Sequence, residues 1–328
     1  MTETIRTTDE ARGAALRLTA TSVALAGMLP YLTIKIIWLA GGTLGVDDPA
    51  RFGGGAFFAL NLLTFAMDAV GAVIVLAFVM PWGRGIPAGM ILPPVWLGTG
   101  LLIPIAVQAP LAVLAGLLSG APLTAPGSPV AGWVYAVVYT GFTCQALGLT
   151  AAFLSHARRR WPGVFTRRIS DGPASRTREL QVFVAGGVAV VAAVLAAVNL
   201  SWLLGSTLGL PEDAVAARSV VFHLRAATNT LAPIAAATGL LTVVLGRSAR
   251  PLRGPVAFAW LGSGVMFGGS LWEMIVMLTP GAFGSGGVGD VGLLGLVALF
   301  TLLTGLVAAM TGAFALVERE RRADPRTP

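Results

Sequence analysis

IKIIWLAGGTLGV at residues 34–46 falls on VNLSWLLGSTLGL at residues 198–210 when the chain is slid along itself by 164 residues, with no gap. Trp38 meets Trp202, Gly41 meets Gly205, Thr43 meets Thr207 and Gly45 meets Gly209. The same offset lays WLGTG at 96–100 on WLGSG at 260–264, Thr140-Gly141 on Thr304-Gly305, and Gly148 on Gly312. Tryptophan is rare, so two Trp pairs at one offset weigh more than shared Leu, Gly or Ala in a chain that is 55% hydrophobic. The offset is half of the 328 residues, which is the mark of a duplicated unit.

Working outward from these motifs, apolar runs of transmembrane length recur along the whole chain. Eight are expected, over residues 16–41, 56–80, 88–117, 130–155, 180–205, 222–245, 254–278 and 291–316. The expected fold is all-α: a polytopic transmembrane helix bundle whose eight spans form two parallel four-helix repeats, residues 1–164 and 165–328. The third span holds Pro93, Pro94, Pro104 and Pro110, so a kink or break is expected there. Four spans per half is an even number, so both halves enter the membrane in the same sense. Such halves are related by a pseudo-two-fold axis along the membrane normal, and the seam between them is the expected place for a cavity. Gly264 and Gly268, spaced as GxxxG, would allow helices to approach closely there.

Charge orients the spans. The N-terminal segment has Arg6, Arg12 and Arg17, and the second loop has Arg84. The fourth loop has Arg158, Arg159, Arg160, Arg167, Arg168, Arg176 and Arg178. Arg247, Arg250 and Arg253 lie in the sixth, and Arg319, Arg321, Arg322 and Arg326 in the tail. The alternate loops hold only Arg51 and Arg218, beside Asp47, Asp48, Glu212, Asp213 and Asp290. With eight spans every arginine-rich segment falls on one side, and the positive-inside rule makes both termini cytoplasmic in a bacterial plasma membrane. The loop 156–179 reads as an orientation signal and linker, or as a site for anionic lipid headgroups.

Only 11% of residues are charged, against about 25% in a soluble domain. Too little polar surface remains to cover a water-soluble body. The net charge of +7 does not imply nucleic acid, because the arginines sit in short loops and do not interleave with aromatic residues. Cys144 is the single cysteine, so no intrachain disulfide forms, and no Cys/His cluster suggests a metal. His156 and His223 are expected on opposite sides of the membrane. No cofactor is implied. GSGGVG at 284–289 matches a dinucleotide-loop pattern, but no strand precedes it, so it reads as a loop. The first apolar run is too long for a signal peptide and reads as a retained helix.

WLAGGTLG and WLLGSTLG, at the ends of the first and fifth spans, resemble a family of small bacterial four-helix membrane proteins of unknown function. The resemblance covers about a tenth of the chain. It implies a duplicated form of such a unit and carries no activity and no catalytic residue.

Ionisable groups in hydrocarbon are costly, about 2.5–3.5 kcal/mol on insertion scales, so each needs a reason. At 1.5 Å per residue, Lys35, Asn61, Arg225 and Glu273 come to a similar level, roughly 10 Å or less below the outer surface, with Asp68 near the midplane. Asn61, Thr64 and Asp68 share one helical face. At the repeat offset Lys35 corresponds to Asn199, Asn61 to Arg225 and Glu273 to Ala109, so a symmetric frame would hold an asymmetric set of charges. Lys35 and Arg225 can snorkel or form structural ion pairs, and Glu273 can be solvated. Asp68 is too short to snorkel and must be paired, hydrated or protonated. Trp38, Trp202 and Trp272 fit an interfacial belt, or line a cavity where their faces could stabilise a cation.

Three functions follow. A transporter or permease would bind a small or amphipathic solute between the repeats, using Lys35, Asn61, Asp68, Asn199, Arg225, Glu273, Trp38, Trp202 and Trp272, with Asp68 or Glu273 as a proton or cation site. An intramembrane enzyme on a lipid or isoprenoid would use Asp68 or Glu273 as its catalytic acid. A non-catalytic membrane subunit would use the same groups for packing. Membrane lipids are the expected partners.

Overall fold

A computed structural model of the chain describes residues 2–49, 54–120, 128–171, 177–216, 218–279 and 292–323. Among these the fold is all-α: α1 (Thr2–Leu39), α2 (Gly55–Ala77), α3 (Ala88–Ser119), α4 (Gly132–Arg160), α5 (Pro162–Thr166), α6 (Arg178–Leu203), α7 (Glu212–Ala216), α8 (Val220–Leu245), α9 (Arg253–Met277) and α10 (Gly292–Ala323). The loop pattern GSGGVG lies outside the described residues. Seven helices, all the long ones except α9, are long and apolar enough to cross a membrane. Large apolar side chains such as Phe183, Leu118 and Met90 point outward along them. In water that surface would be untenable, and in lipid it is matched to its solvent. The chain is a multi-pass integral membrane protein.

The chain divides into two compact units, Met1–Arg160 with Val276–Gly289, and Trp161–Ile275 with Asp290–Pro328. The first unit is held by small residues that bring α1 against α4. A Cβ on Gly27 would stand 2.6 Å from the Gly141 carbonyl oxygen, and one on Gly148 would stand 2.6 Å from the Ala20 carbonyl oxygen. Association between helices in lipid relies on this kind of close backbone packing. Met28, Ile34, Val75, Ile91, Val95 and Leu149 fill the space around the crossing. Helix α3 runs unbroken through its four prolines, against the break considered above. Each proline deletes one N–H donor, whereas a break in hydrocarbon would strand several donors and acceptors at once.

In the second unit the close approach is between α8 and α9. A Cβ on Gly239 would lie 2.4 Å from the Ala259 nitrogen, and one on Gly262 2.4 Å from the Ala236 nitrogen. Gly264 and Gly268 are also buried on α9. Glycine and serine on the buried face of α9 lower its apolar content where it meets protein. Around it pack Leu195, Ala232, Ala236, Val265 and Met266, and farther along Ile169, Val188, Leu240 and Val243.

Several arginines of the basic segments donate to backbone carbonyls, two of them at the end of α8. Arg319 donates to the carbonyls of Ile169 (3.1 Å) and Val243 (2.6 Å), Arg178 to Leu245, and Arg160 to Ile86 (2.7 Å). A guanidinium at a helix C-terminus pairs free carbonyls and opposes the helix dipole. The Leu252 N–H donates to the Arg167 carbonyl (3.0 Å), and the Glu318 carboxylate accepts from Thr177 and Gln181. The starts of α6 and α9 and the ends of α8 and α10 therefore share one end of the second unit.

The repeated motif makes the same turn twice. Gly41 donates to Trp38 (3.0 Å) and Gly42 to Ile37 (2.8 Å), while Gly205 donates to Trp202 (3.2 Å) and Ser206 to Ser201 (2.9 Å). These five-to-two and six-to-one bonds are a Schellman C-cap, whose pivot must take a left-handed conformation. Gly41 (φ 86°) and Gly205 (φ 104°) are those pivots. A second turn follows, Val46 donating to Thr43 (3.1 Å) and Leu210 to Thr207 (3.0 Å), with Gly45 and Gly209 at its positive-φ position. Each tryptophan then locks the turn: Trp38 Nε1 donates to the Leu44 carbonyl (2.9 Å), and Trp202 Nε1 to the Leu208 carbonyl (3.0 Å).

Candidate functional site

In the first unit, α1 and α2 run antiparallel from the Trp38 turn, and polar side chains face each other down their interface. The uppermost rung is Lys35 and Asn61. The Lys35 ammonium donates to Asn61 Oδ1, while Asn61 Nδ2 donates to the Phe57 carbonyl (2.9 Å). The ammonium also lies over the Tyr31 ring (4.9 Å) and the Trp38 ring (5.2 Å). Two ring faces and a carbonyl oxygen thus replace its water, each face contributing about 0.5–2 kcal/mol depending on desolvation. Lys35 is 5% exposed, so it does not snorkel.

One turn deeper, Tyr31 stands at the Thr64 side chain. The Thr64 hydroxyl donates to the carbonyls of Leu60 (2.8 Å) and Asn61 (3.2 Å). Tyr31 is oriented edge-on to Phe142 of α4, with ring centroids 4.9 Å apart. Deeper again, at the middle of α2, Gln145 of α4 donates from Nε2 to Asp68 Oδ1 (2.9 Å). Asp68 and Gln145 are both buried, and their remaining oxygens, Asp68 Oδ2 and Gln145 Oε1, have no hydrogen-bond partner.

Above the first rung a cavity of about 220 Å³ opens, lined by Trp38, Gly42, Thr43, Phe57, Phe58 and Asn61 among others. Asn61 is thus shared by the cavity and the Lys35 cage. Asp68 lies two helical turns beyond Asn61, about 10 Å along the axis.

The second unit has a smaller cavity, about 30 Å³, lined by Asn199, Trp202, Phe222, Arg225, Asn229 and Glu273 among others. Arg225 and Glu273 form an ion pair across it, with the Arg225 side chain 53% exposed. Asn199 donates to the Leu195 carbonyl (2.9 Å). Trp38, Phe58 and Asn61 of the larger cavity stand 164 residues before Trp202, Phe222 and Arg225 of the smaller one. Trp272 is half-buried on α9 and is not among the residues lining either cavity.

The residues nominated from the sequence therefore assemble as two sets. Lys35, Asn61, Asp68 and Trp38 belong to the first unit, and Asn199, Trp202, Arg225 and Glu273 to the second. One level was expected for all four of Lys35, Asn61, Arg225 and Glu273; Lys35 meets Asn61 in the first unit, and Arg225 meets Glu273 in the second. A seam cavity was expected; both cavities described here are each lined within one unit. Sequence reasoning missed Gln145 and Tyr31. An amide in the fourth apolar run was a readable signal, but attention to ionisable groups passed over it.

No protein-family model matches the chain, and neither the curated proteins nor the solved structures compared with it give a match.

Proposed function

We propose that this protein is a transporter-like membrane protein that binds a small or amphipathic solute in the first unit's cavity. The observation that carries the reading is the cavity's floor. Asn61 lines it and holds the buried Lys35 ammonium, at the head of a polar column that descends to Asp68. At about 220 Å³ the cavity is below the roughly 300–1,000 Å³ of drug-sized sites, which favours a small solute. A polar column inside an apolar bundle is costly to retain without use.

The reading includes eight crossings, with α9 as the eighth. Helix α9 begins beside Arg167 and carries Glu273, near its other end, to Arg225 at the start of α8. That places its two ends at opposite ends of the second unit. With α9 counted, all the arginine-rich segments share one side, both termini are cytoplasmic in a bacterial plasma membrane, and the cavity opens outward. The matching Trp38 and Trp202 turns support a duplicated four-helix unit. Anionic headgroups are proposed partners of the arginines in 156–179 that do not cap helices.

Acid catalysis on a lipid or isoprenoid gains less support, because Asp68 does not line the cavity and Glu273 is engaged by Arg225. The test is native mass spectrometry of the purified protein, followed by uptake of the co-purifying compound into proteoliposomes. Wild type should retain and accumulate it, and Asn61→Leu should lose it. A protein that carries only lipid and moves nothing would sink the transport reading.

A further inference from the structure

The deepest rung of the column holds an unusual hydrogen-bond deficit. Gln145 Nε2 donates to Asp68 Oδ1 (2.9 Å), but Asp68 Oδ2 and Gln145 Oε1 are buried acceptors with no donor. They belong to side chains that are 7% and 3% exposed, so bulk water does not serve them. The Lys35 ammonium is bound to Asn61 on the first rung and does not reach the carboxylate with a hydrogen bond.

One hydrogen satisfies both oxygens. A carboxylic acid and a primary amide pair through two antiparallel hydrogen bonds, N–H to the acid carbonyl and acid O–H to the amide carbonyl. The first of these is present. The second needs only a proton on Asp68 Oδ2, donated to Gln145 Oε1. We propose that the Asp68–Gln145 pair is a proton-binding site, occupied by one proton at neutral pH. It would exchange with the cavity along Tyr31–Thr64 and Lys35–Asn61. A sodium ion is the competing occupant of two oxygens. It would require more oxygen ligands than these two orphans supply.

The groups that face Asp68 are consistent with this. Helix α1 presents Tyr31 and Lys35, and the Lys35 charge is felt at Asp68. Helix α4 presents Gln145, with Cys144 beside it against Gly27. Helix α3 contains no titratable side chain. As the proton site of the transport reading, the pair would be where a proton gradient is coupled to the solute.

The test is infrared spectroscopy of the full chain in nanodiscs at neutral pH, exchanged between H₂O and D₂O. One protonated carboxyl per chain is expected as a deuterium-sensitive carbonyl band. Asp68→Asn should remove it, and Gln145→Leu should shift it. Asp68→Asn should also leave the melting temperature nearly unchanged, because an asparagine amide makes the same two bonds to Gln145. Absence of the band in wild type would overturn the proposal even if no variant folds. So would a sodium-specific rise in melting temperature at constant ionic strength that Asp68→Asn abolishes. The band present without any solute uptake would leave the proton site standing and remove only the transport reading.

Discussion

Gln145 Nε2 and Asp68 Oδ1, 2.9 Å apart, tie the middle of α4 to the middle of α2. The bond crosses the interior of the first unit, where a lone carboxyl or amide would cost more than it returns. Removing one partner leaves the other buried and unsatisfied, a penalty of about 1–3 kcal/mol. Gln145→Leu is expected to destabilise the protein by that amount in detergent unfolding. A double-mutant cycle with Asp68→Leu should show coupling of about 0.5–3 kcal/mol. Additive effects would mean that the two side chains do not share the bond in the membrane.

The helix crossings make a second prediction, resting on glycines of opposite surroundings. Gly148→Ala drives a Cβ to 2.6 Å from the Ala20 carbonyl oxygen and the Ala24 nitrogen, both backbone atoms of α1. Overpacking of that kind costs about 1–3 kcal/mol. Gly186 of α6 has nothing within 4 Å of the added methyl, so Gly186→Ala should gain up to about 1 kcal/mol in helix propensity. Melting temperatures of the two variants should move in opposite directions. Equal shifts would mean that α1 and α4 are not in contact at Gly148.

Much of this architecture was readable from the apolar runs, because lipid forces backbone groups into helices and leaves few alternatives. Seven of the eight expected spans became helices apolar enough to cross. The run expected at 254–278 is helix α9, which has the length, but its buried Gly262, Ser263 and Gly264 are spent on packing and lower its hydropathy. Lys35 and Asn61 were legible as a shared level, since helical rise fixes depth. The partner of Asp68 was not, because the contact between α2 and α4 depends on how Gly27 and Gly148 set the helices, and no local pattern encodes it. The tryptophan motif was visible as a repeat, yet its meaning is a tertiary one, an indole closing a double turn.

That double turn yields the third prediction. Trp38→Phe and Trp202→Phe each delete the indole donor to Leu44 or Leu208 while keeping an aromatic ring. Each should cost about 1 kcal/mol, the typical net worth of one hydrogen bond. Gly41→Ala and Gly205→Ala place a Cβ on a left-handed residue and should cost about 1–2 kcal/mol each. Thermal unfolding of the four variants should pair them by position in the motif. A large effect in one half and none in the other would separate the two turns energetically.

The ion pair of the second unit should matter less than its appearance suggests. Arg225 is 53% exposed, and exposed pairs are worth about 0–1 kcal/mol. Glu273→Gln is expected to change the melting temperature by no more than a degree or two. If Glu273→Gln instead unfolds the protein, the pair lies in an environment without water, and the α8–α9 end is sealed by lipid or protein.

The status of α9 decides the topology and can be read without a structure. Four crossings separate the first residues from the loop at 161–171, whatever α9 does, so both should lie on one side. Between that loop and the tail stand α6, α8, α9 and α10. If α9 crosses, the tail returns to the side of the loop; if it does not, the tail emerges opposite. Within the second unit Arg319 reaches the Ile169 carbonyl at 3.1 Å, and Glu318 accepts from Thr177 at 2.8 Å. A helix end that bonds to the loop must share its side. Fusions of a compartment-sensitive reporter after residues 165 and 323 are therefore expected to report the same compartment, and the positive-inside rule makes it the cytoplasm. Opposite compartments would require the Arg319 and Glu318 contacts to be absent in the membrane, and with them the eight-crossing reading.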